Sequence, residues 1–198
     1  MKKILSVLLC GALFWAVGCL PSSSSQPDLS EYLAEVECRD DCVRFGRGVY
    51  MNGGYVFTAA HIFPDSYQVG DLCYTRRGND RTYESTVLFV DRTNDVAVLS
   101  SPMKNGATIS DDTDVNAVFI VKGDQAEKCA ARRRLTADGR SLLEVDGEFQ
   151  KGMSGAPVFD RLGAVIGIIV SGSTDGSHAY AVLKDRLPTL SFSPLPEG

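Results

Sequence analysis

The chain has 198 residues, 44% of them hydrophobic and 23% charged, enough for one well-packed domain or two small barrels sharing a core, and too apolar for a disordered chain. Its formal net charge is −5; removal of Lys2 and Lys3 with the leader described below, which carries no acid, takes it to −7. A domain this acidic has no general attraction for nucleic acid, and no nucleic-acid partner is expected.

In chain order, Lys2-Lys3 and the apolar run Ile4 to Val17 form the charged and hydrophobic regions of a signal peptide, assigned to residues 1–18. The run is shorter than a permanent membrane span requires. Ala16-Val17-Gly18-Cys19 resembles the bacterial lipobox, in which the cysteine is lipidated and becomes the first mature residue. That resemblance implies a membrane partner reached through a lipid on Cys19. Residues 19–34 read as a flexible linker, because Pro21, Ser22 to Ser25 and Pro27 leave no apolar periodicity. The segment from Leu20 to Asp28 spans about 30 Å when extended. Leu20, rather than aspartate, after the cysteine implies a bacterial outer-membrane location facing the periplasm or the exterior.

Cys10 leaves with the leader and Cys19 takes lipid, so Cys38, Cys42, Cys73 and Cys129 are the disulfide candidates. An even count in an exported domain predicts two bridges, with three pairings open. No C-x-x-C pair occurs and the spacings are wide, so zinc is not expected, and no other metal or cofactor is implied. The acidic stretch Ser110 to Asp114 has no ligand-spaced frame and reads as a turn.

Strands are predicted almost throughout: 43–51, 55–58, 68–76, 83–91, 96–100, 115–121, 128–135, 142–145, 156–159, 165–171 and 180–183 are short, β-branched or alternating, and divided by Gly, Asp, Asn or Pro turns. Only 184–190, interrupted by Pro188, reads as a short C-terminal helix. The pattern is that of an all-β sandwich or barrel. Arg132-Arg133-Arg134 is expected on a solvated strand edge, where charge discourages sheet aggregation.

Three motifs carry chemistry. Thr58-Ala59-Ala60-His61 closes an apolar strand, Asn94-Asp95 precedes Val96-Ala97-Val98-Leu99, and Gly152-Met153-Ser154-Gly155-Ala156-Pro157 places a serine in a glycine-flanked turn. A serine hydroxyl needs a base to become a nucleophile, and the oxyanion formed by its attack needs converging backbone N–H donors. Ser154 is the candidate nucleophile, His61 the candidate base and Asp95 the carboxylate that orients it, with Asp91 as a competitor that lacks the following apolar run. The N–H groups of Gly152 and Ser154 are the candidate oxyanion donors.

The order His, Asp, Ser and the three local sequences resemble the chymotrypsin-like serine proteases, nearest in pattern to bacterial HtrA-type and glutamyl-endopeptidase domains. The resemblance implies two antiparallel β-barrels over residues 35–195, joined near 103–114, with the site in the cleft between them. It also implies a polypeptide substrate laid as an added strand along Val170-Ser171-Gly172. The specificity pocket would be lined by Glu148-Phe149-Gln150, Ile169, Val170 and the region of His178 and Tyr180, with His178 suited to an acidic side chain. No Ile-Val-Gly-Gly activation sequence is visible, and no PDZ module is expected after Leu195. The expected function is therefore an envelope-anchored serine endopeptidase acting through an acyl-enzyme. The alternative is a trypsin-fold protein that is inactive or latent and binds a peptide or envelope partner. An α/β hydrolase is excluded, because it needs the order Ser, Asp, His and alternating helices and strands.

Overall fold

The computed structural model describes residues 28–39, 43–111, 117–123, 125–137 and 139–188. The leader, Cys19 and Cys42 lie outside these residues. Strands β1 (Leu33–Arg39), β2 (Val43–Met51), β3 (Tyr55–Ala59), β4 (Leu72–Arg76), β5 (Tyr83–Asp91) and β6 (Val96–Ser100) close one antiparallel barrel in the order β1-β2-β3-β6-β5-β4. Strands β7 (Ala117–Lys122), β8 (Gln125–Ala137), β9 (Arg140–Asp146), β10 (Pro157–Phe159), β11 (Val165–Gly172) and β12 (His178–Leu183) close a second in the order β10-β11-β12-β9-β8-β7. Closure removes most of the open edge of each sheet.

Burial follows strand position. In β1, Ala34, Val36 and Cys38 point inward and alternate with more exposed residues, the period of a sheet wetted on one face. In β6, Val96 to Leu99 are all fully buried, and in β11 so are Val165 to Val170, since these strands are covered on both faces. One apolar cluster runs from Val36, Val56, Phe57 and Leu99 of the first barrel to Phe159, Ile168 and Val182 of the second.

The folded unit begins earlier than the expected linker boundary. Leu29–Tyr32 forms a 3-10 turn capped by the Asp28 carboxylate, which accepts from the Ser30 N–H, and Leu29 is 2% exposed. Leu33 already pairs with Val49. The predicted strand at 68–76 shortens to β4 because the chain turns at Gly70 and Asp71. The expected C-terminal helix is a single 3-10 turn, Lys184–Arg186. Pro188 disfavours helical geometry at the residue before it, and Leu187 is extended, with φ −73° and ψ 141°. The arginine run lies on a solvated edge, as expected: β7 pairs with β8 only from Gln125 to Ala130, so Arg132 to Arg134 pair with β9 on one side alone among the described residues, and all three are exposed. There Arg133 meets Glu144 across the ladder at 2.6 Å, and Arg132 meets Asp146.

No disulfide joins Cys38, Cys73 and Cys129, which the structure records as buried thiols. Cys38 and Cys73 lie one step along the β1–β4 register from Glu37↔Tyr74, inside the first barrel. Burial, and then the neighbouring Cys38, pushes the Cys73 thiol up to about 12. Cys129 lies in the second barrel.

The barrels are stitched together under the serine loop. The Arg47 N–H of β2 donates to the Ser154 carbonyl at 2.7 Å, and the Arg47 carbonyl accepts from the buried Thr58 hydroxyl at 2.5 Å. Gly155, at φ 85°, lies directly on that carbonyl; a β-carbon there would run into Arg47 O and Thr58 Oγ1. Gly155→Ala is expected to lower stability by about 3 kcal/mol, from left-handed strain and overpacking together, read as the urea unfolding midpoint of the full chain. Unchanged stability would show that the strands are free to part at this point.

Candidate active site

His61 lies in a single 3-10 turn, Ala60–Ile62, directly after β3. Its backbone N–H donates to Asp95 Oδ1 at 2.8 Å, and its Nδ1 is 2.7 Å from Asp95 Oδ2. A carboxylate can only accept, so Nδ1 carries the proton. The Nε2 lone pair then faces Ser154 Oγ at 2.7 Å. Residues separated by 34 and 93 positions in sequence thus form one hydrogen-bonded line across the barrel interface. The His61 side chain is 44% exposed while that of Asp95 is 11% exposed, so the ring remains reachable from the cleft with its carboxylate behind it.

Asp95 is held in a conformation that most side chains avoid. Its φ is 60°, the one positive value outside glycine among the described residues, and its carbonyl accepts from the Ala60 N–H at 3.2 Å. Aspartate and asparagine enter this region at lower cost than other L-residues. The competitor Asp91 is committed elsewhere: Oδ1 accepts from the Thr93 and Asn94 N–H groups and Oδ2 from the Asn94 side-chain amide. These bonds hold its carboxyl below the usual range against the opposing effect of burial. Asp91 therefore shapes the turn that presents Asp95.

Of the oxyanion candidates, Gly152, at φ 90°, is in the third position of a turn closed by the Met153 N–H donating to the Gln150 carbonyl at 3.3 Å, and Ser154 follows directly after that turn. That geometry suits glycine. Beside it a cavity of about 320 Å³ is lined by Phe149, Gln150, Ser154, Ile169, Ser171 and Gly172 among others. Its lining also includes Met153, Ser173, Thr174 and Lys151, which the sequence reading did not single out, and contains no carboxylate. Ile169, Ser171 and Gly172, singled out in the sequence, are among its lining residues. Val170 does not face this cavity: the β11–β12 register shifts between Ile169 and Ser171, and its side chain packs into the shared core. β10 pairs with β11 only as far as Ile168, so the outer backbone edge of Ser171 and Gly172 is left open by that strand.

His178, expected at the pocket, is not among the residues lining it. Its Nδ1 lies 2.5 Å from the Ser177 carbonyl and 3.5 Å from Asp146 Oδ1, and its Nε2 lies 3.9 Å from Glu144 Oε1. It belongs with these carboxylates on β9 rather than with Ser154. Glu148 lines a separate cavity with Arg47, Lys122 and Lys151. The loop between β11 and β12 is tied by Asp175, whose carboxylate accepts from the Ser173 and Ser177 hydroxyls and the Ser177 N–H; these bonds hold it far below the usual range.

A trypsin-like peptidase domain model matches residues 46–168. The chain belongs to this family, and by that membership it is a serine endopeptidase. No curated protein matches the sequence. Among solved structures, the active form of the Rv3671c protease from M. tuberculosis is 18% identical, with a TM-score of 0.67 over 92% of this chain and 90% of its own. The serine endoprotease from Yersinia pestis is 22% identical with a TM-score of 0.68, over 84% of this chain and 64% of that one. A human pathogenic astrovirus serine protease is 21% identical with a TM-score of 0.59, over 79% and 91% respectively. These likenesses establish the two-barrel fold.

The positive φ at Asp95 separates two substitutions. Asp95→Asn keeps the backbone preference and should leave the urea midpoint nearly unchanged, whereas Asp95→Ala should cost about 1 kcal/mol more. Equal stability of the two variants would mean that the conformation is not strained.

Proposed function

We propose that this endopeptidase cleaves polypeptides through an acyl-enzyme on Ser154, from a position anchored to the bacterial envelope. The observation that carries the first part is the unbroken line Asp95–His61–Ser154, with 2.7 Å at each link. His61 Nε2 takes the Ser154 proton as Oγ bonds to the scissile carbonyl carbon. Asp95 keeps the ring in the tautomer that can accept it. The Gly152 and Ser154 N–H groups stabilise the oxyanion, His61 returns the proton to the leaving amine, and water then repeats the sequence to release the acid. The substrate strand runs along the edge at Ser171 and Gly172, and the residue before the cut enters the 320 Å³ cavity.

Anchoring rests on the leader and lipobox-like segment ending at Cys19 and on the short interval from there to Leu29, where the 3-10 turn ahead of the barrel begins. The domain then floats within about 30 Å of a lipid. In an oxidising compartment, Cys38 and Cys73 are the pair whose facing positions favour a cross-strand disulfide.

Incubating the purified domain with a fluorophosphonate probe is expected to label the wild type, and to give at least a hundredfold less label in Ser154→Ala and His61→Ala. A folded wild type that stays unlabelled would instead favour a latent or peptide-binding role. For the anchor, the full chain produced in a lipoprotein-processing bacterium should partition into detergent, and Cys19→Ser should move it to the aqueous phase. Retention in detergent by that variant would remove the lipid from the account.

A further inference from the structure

The connection between β5 and β6 is only the four residues Arg92 to Asp95, and the Arg92 and Asn94 side chains are bonded elsewhere. Asp91 binds Thr93 and Asn94. The Arg92 guanidinium donates to the carbonyls of Ala60, Phe63 and Pro64 at 2.7, 3.0 and 2.6 Å. From the first barrel His61 contacts the Asp95 carboxylate through its backbone N–H and its Nδ1, and Asp95 is only 8% exposed.

A further contact comes from the second barrel. β8 runs for 13 residues, and from Ala131 to Ala137 it pairs only with β9, so this hairpin extends past the barrel wall. Leu135 and Ala137 pack on the apolar cluster shared with the first barrel. Arg140, opposite Ala137 at the hairpin tip, brings Nη1 to 3.8 Å from Asp95 Oδ2, the oxygen that faces His61 Nδ1. Both side chains are mostly shielded, at 24% and 11% exposed. The distance is that of an ion pair rather than a hydrogen bond.

We infer that Arg140 is a positioning residue for the serine chemistry, a permanent cation reaching from the second barrel over the Asp95 carboxylate. The inference rests on the proposed role of the Asp95–His61–Ser154 line. The guanidinium opposes the imidazolium that forms when His61 takes the serine proton, and it fixes the carboxylate that orients the ring. It also couples the hairpin to the site, since shifting the tip withdraws the charge. Among the described residues, the other charged groups lining the cavity beside His61 are Arg44 of β2, Asp65 of the following loop and Arg92, which share with Arg140 a volume of about 560 Å³. Of these cations, only Arg140 makes an ion-pair contact with Asp95.

The test is the pH dependence of fluorophosphonate labelling in the full chain, comparing wild type, Arg140→Gln and Arg140→Lys, with thermal melts to establish folding. Loss of the cation favours the protonated ring, so the acid limb of the Gln variant should move up by roughly 0.5–1 pH unit, with at least half of the shift restored in the Lys variant. Should the Gln variant not fold, the wild type read at about 1 M and about 0.05 M salt gives the same comparison, the limb moving upward as screening grows. Superimposable profiles in a labelled wild type and its folded Gln variant would overturn the role of Arg140 alone. Absence of labelling in the folded wild type would overturn the serine chemistry itself and, with it, this role.

Discussion

The contact between Arg47 and the serine loop is the constraint on which the rest depends. One backbone N–H donates to the Ser154 carbonyl, and one backbone carbonyl lies so close to Gly155 that no β-carbon fits between them. Two barrels that each close on themselves have no strand pairing to hold them in register with one another. This contact and the shared apolar cluster therefore set where Ser154 stands relative to His61. Positioning matters at this scale, because a displacement of about 1 Å at a reacting pair costs orders of magnitude in rate.

From that junction the division of labour follows. The first barrel supplies a histidine at the end of β3 and a carboxylate in a strained turn, and the second supplies the serine, the glycine turn beside it and the cavity. Asp160 anchors the second barrel's adjoining turn in the same economical way. Buried at 6% exposure, its carboxylate accepts from the Leu162 and Ala164 N–H groups and from the Ser110 hydroxyl. Ser110 lies in the segment that joins the barrels, so a buried charge with its hydrogen bonds satisfied also pins the connection.

Much of this was legible in the sequence. Short strands of β-branched residues between Gly, Asp and Pro turns gave the all-β class, because alternation and turn chemistry are local properties. His61, Asp95 and Ser154 stood out because each sits in a short motif whose residue types suit one chemical task. The first strand was missed because Leu33 to Arg39 follows directly on a linker-like stretch, although Ala34, Val36 and Cys38 alternate regularly with outward-facing Glu35 and Glu37. The edge placement of Arg132 to Arg134 was legible because a run of charges suits a stretch of strand that is paired on one side only. His178 lies near the serine's barrel in sequence, but Glu144 and Asp146 face it from the neighbouring strand.

By itself the sequence determined the strand content, the residue types able to make a nucleophile, a base and an orienting carboxylate, and the glycines without which the serine turn cannot form. Their information is carried within a few residues of each position. Only the tertiary structure decided that three side chains far apart in the chain meet at 2.7 Å, that Val170 turns into the core, and that Arg140 from the other barrel contacts Asp95. Those outcomes depend on strand register and on how one closed barrel seats against another, which are set by packing over the whole chain rather than by any local pattern.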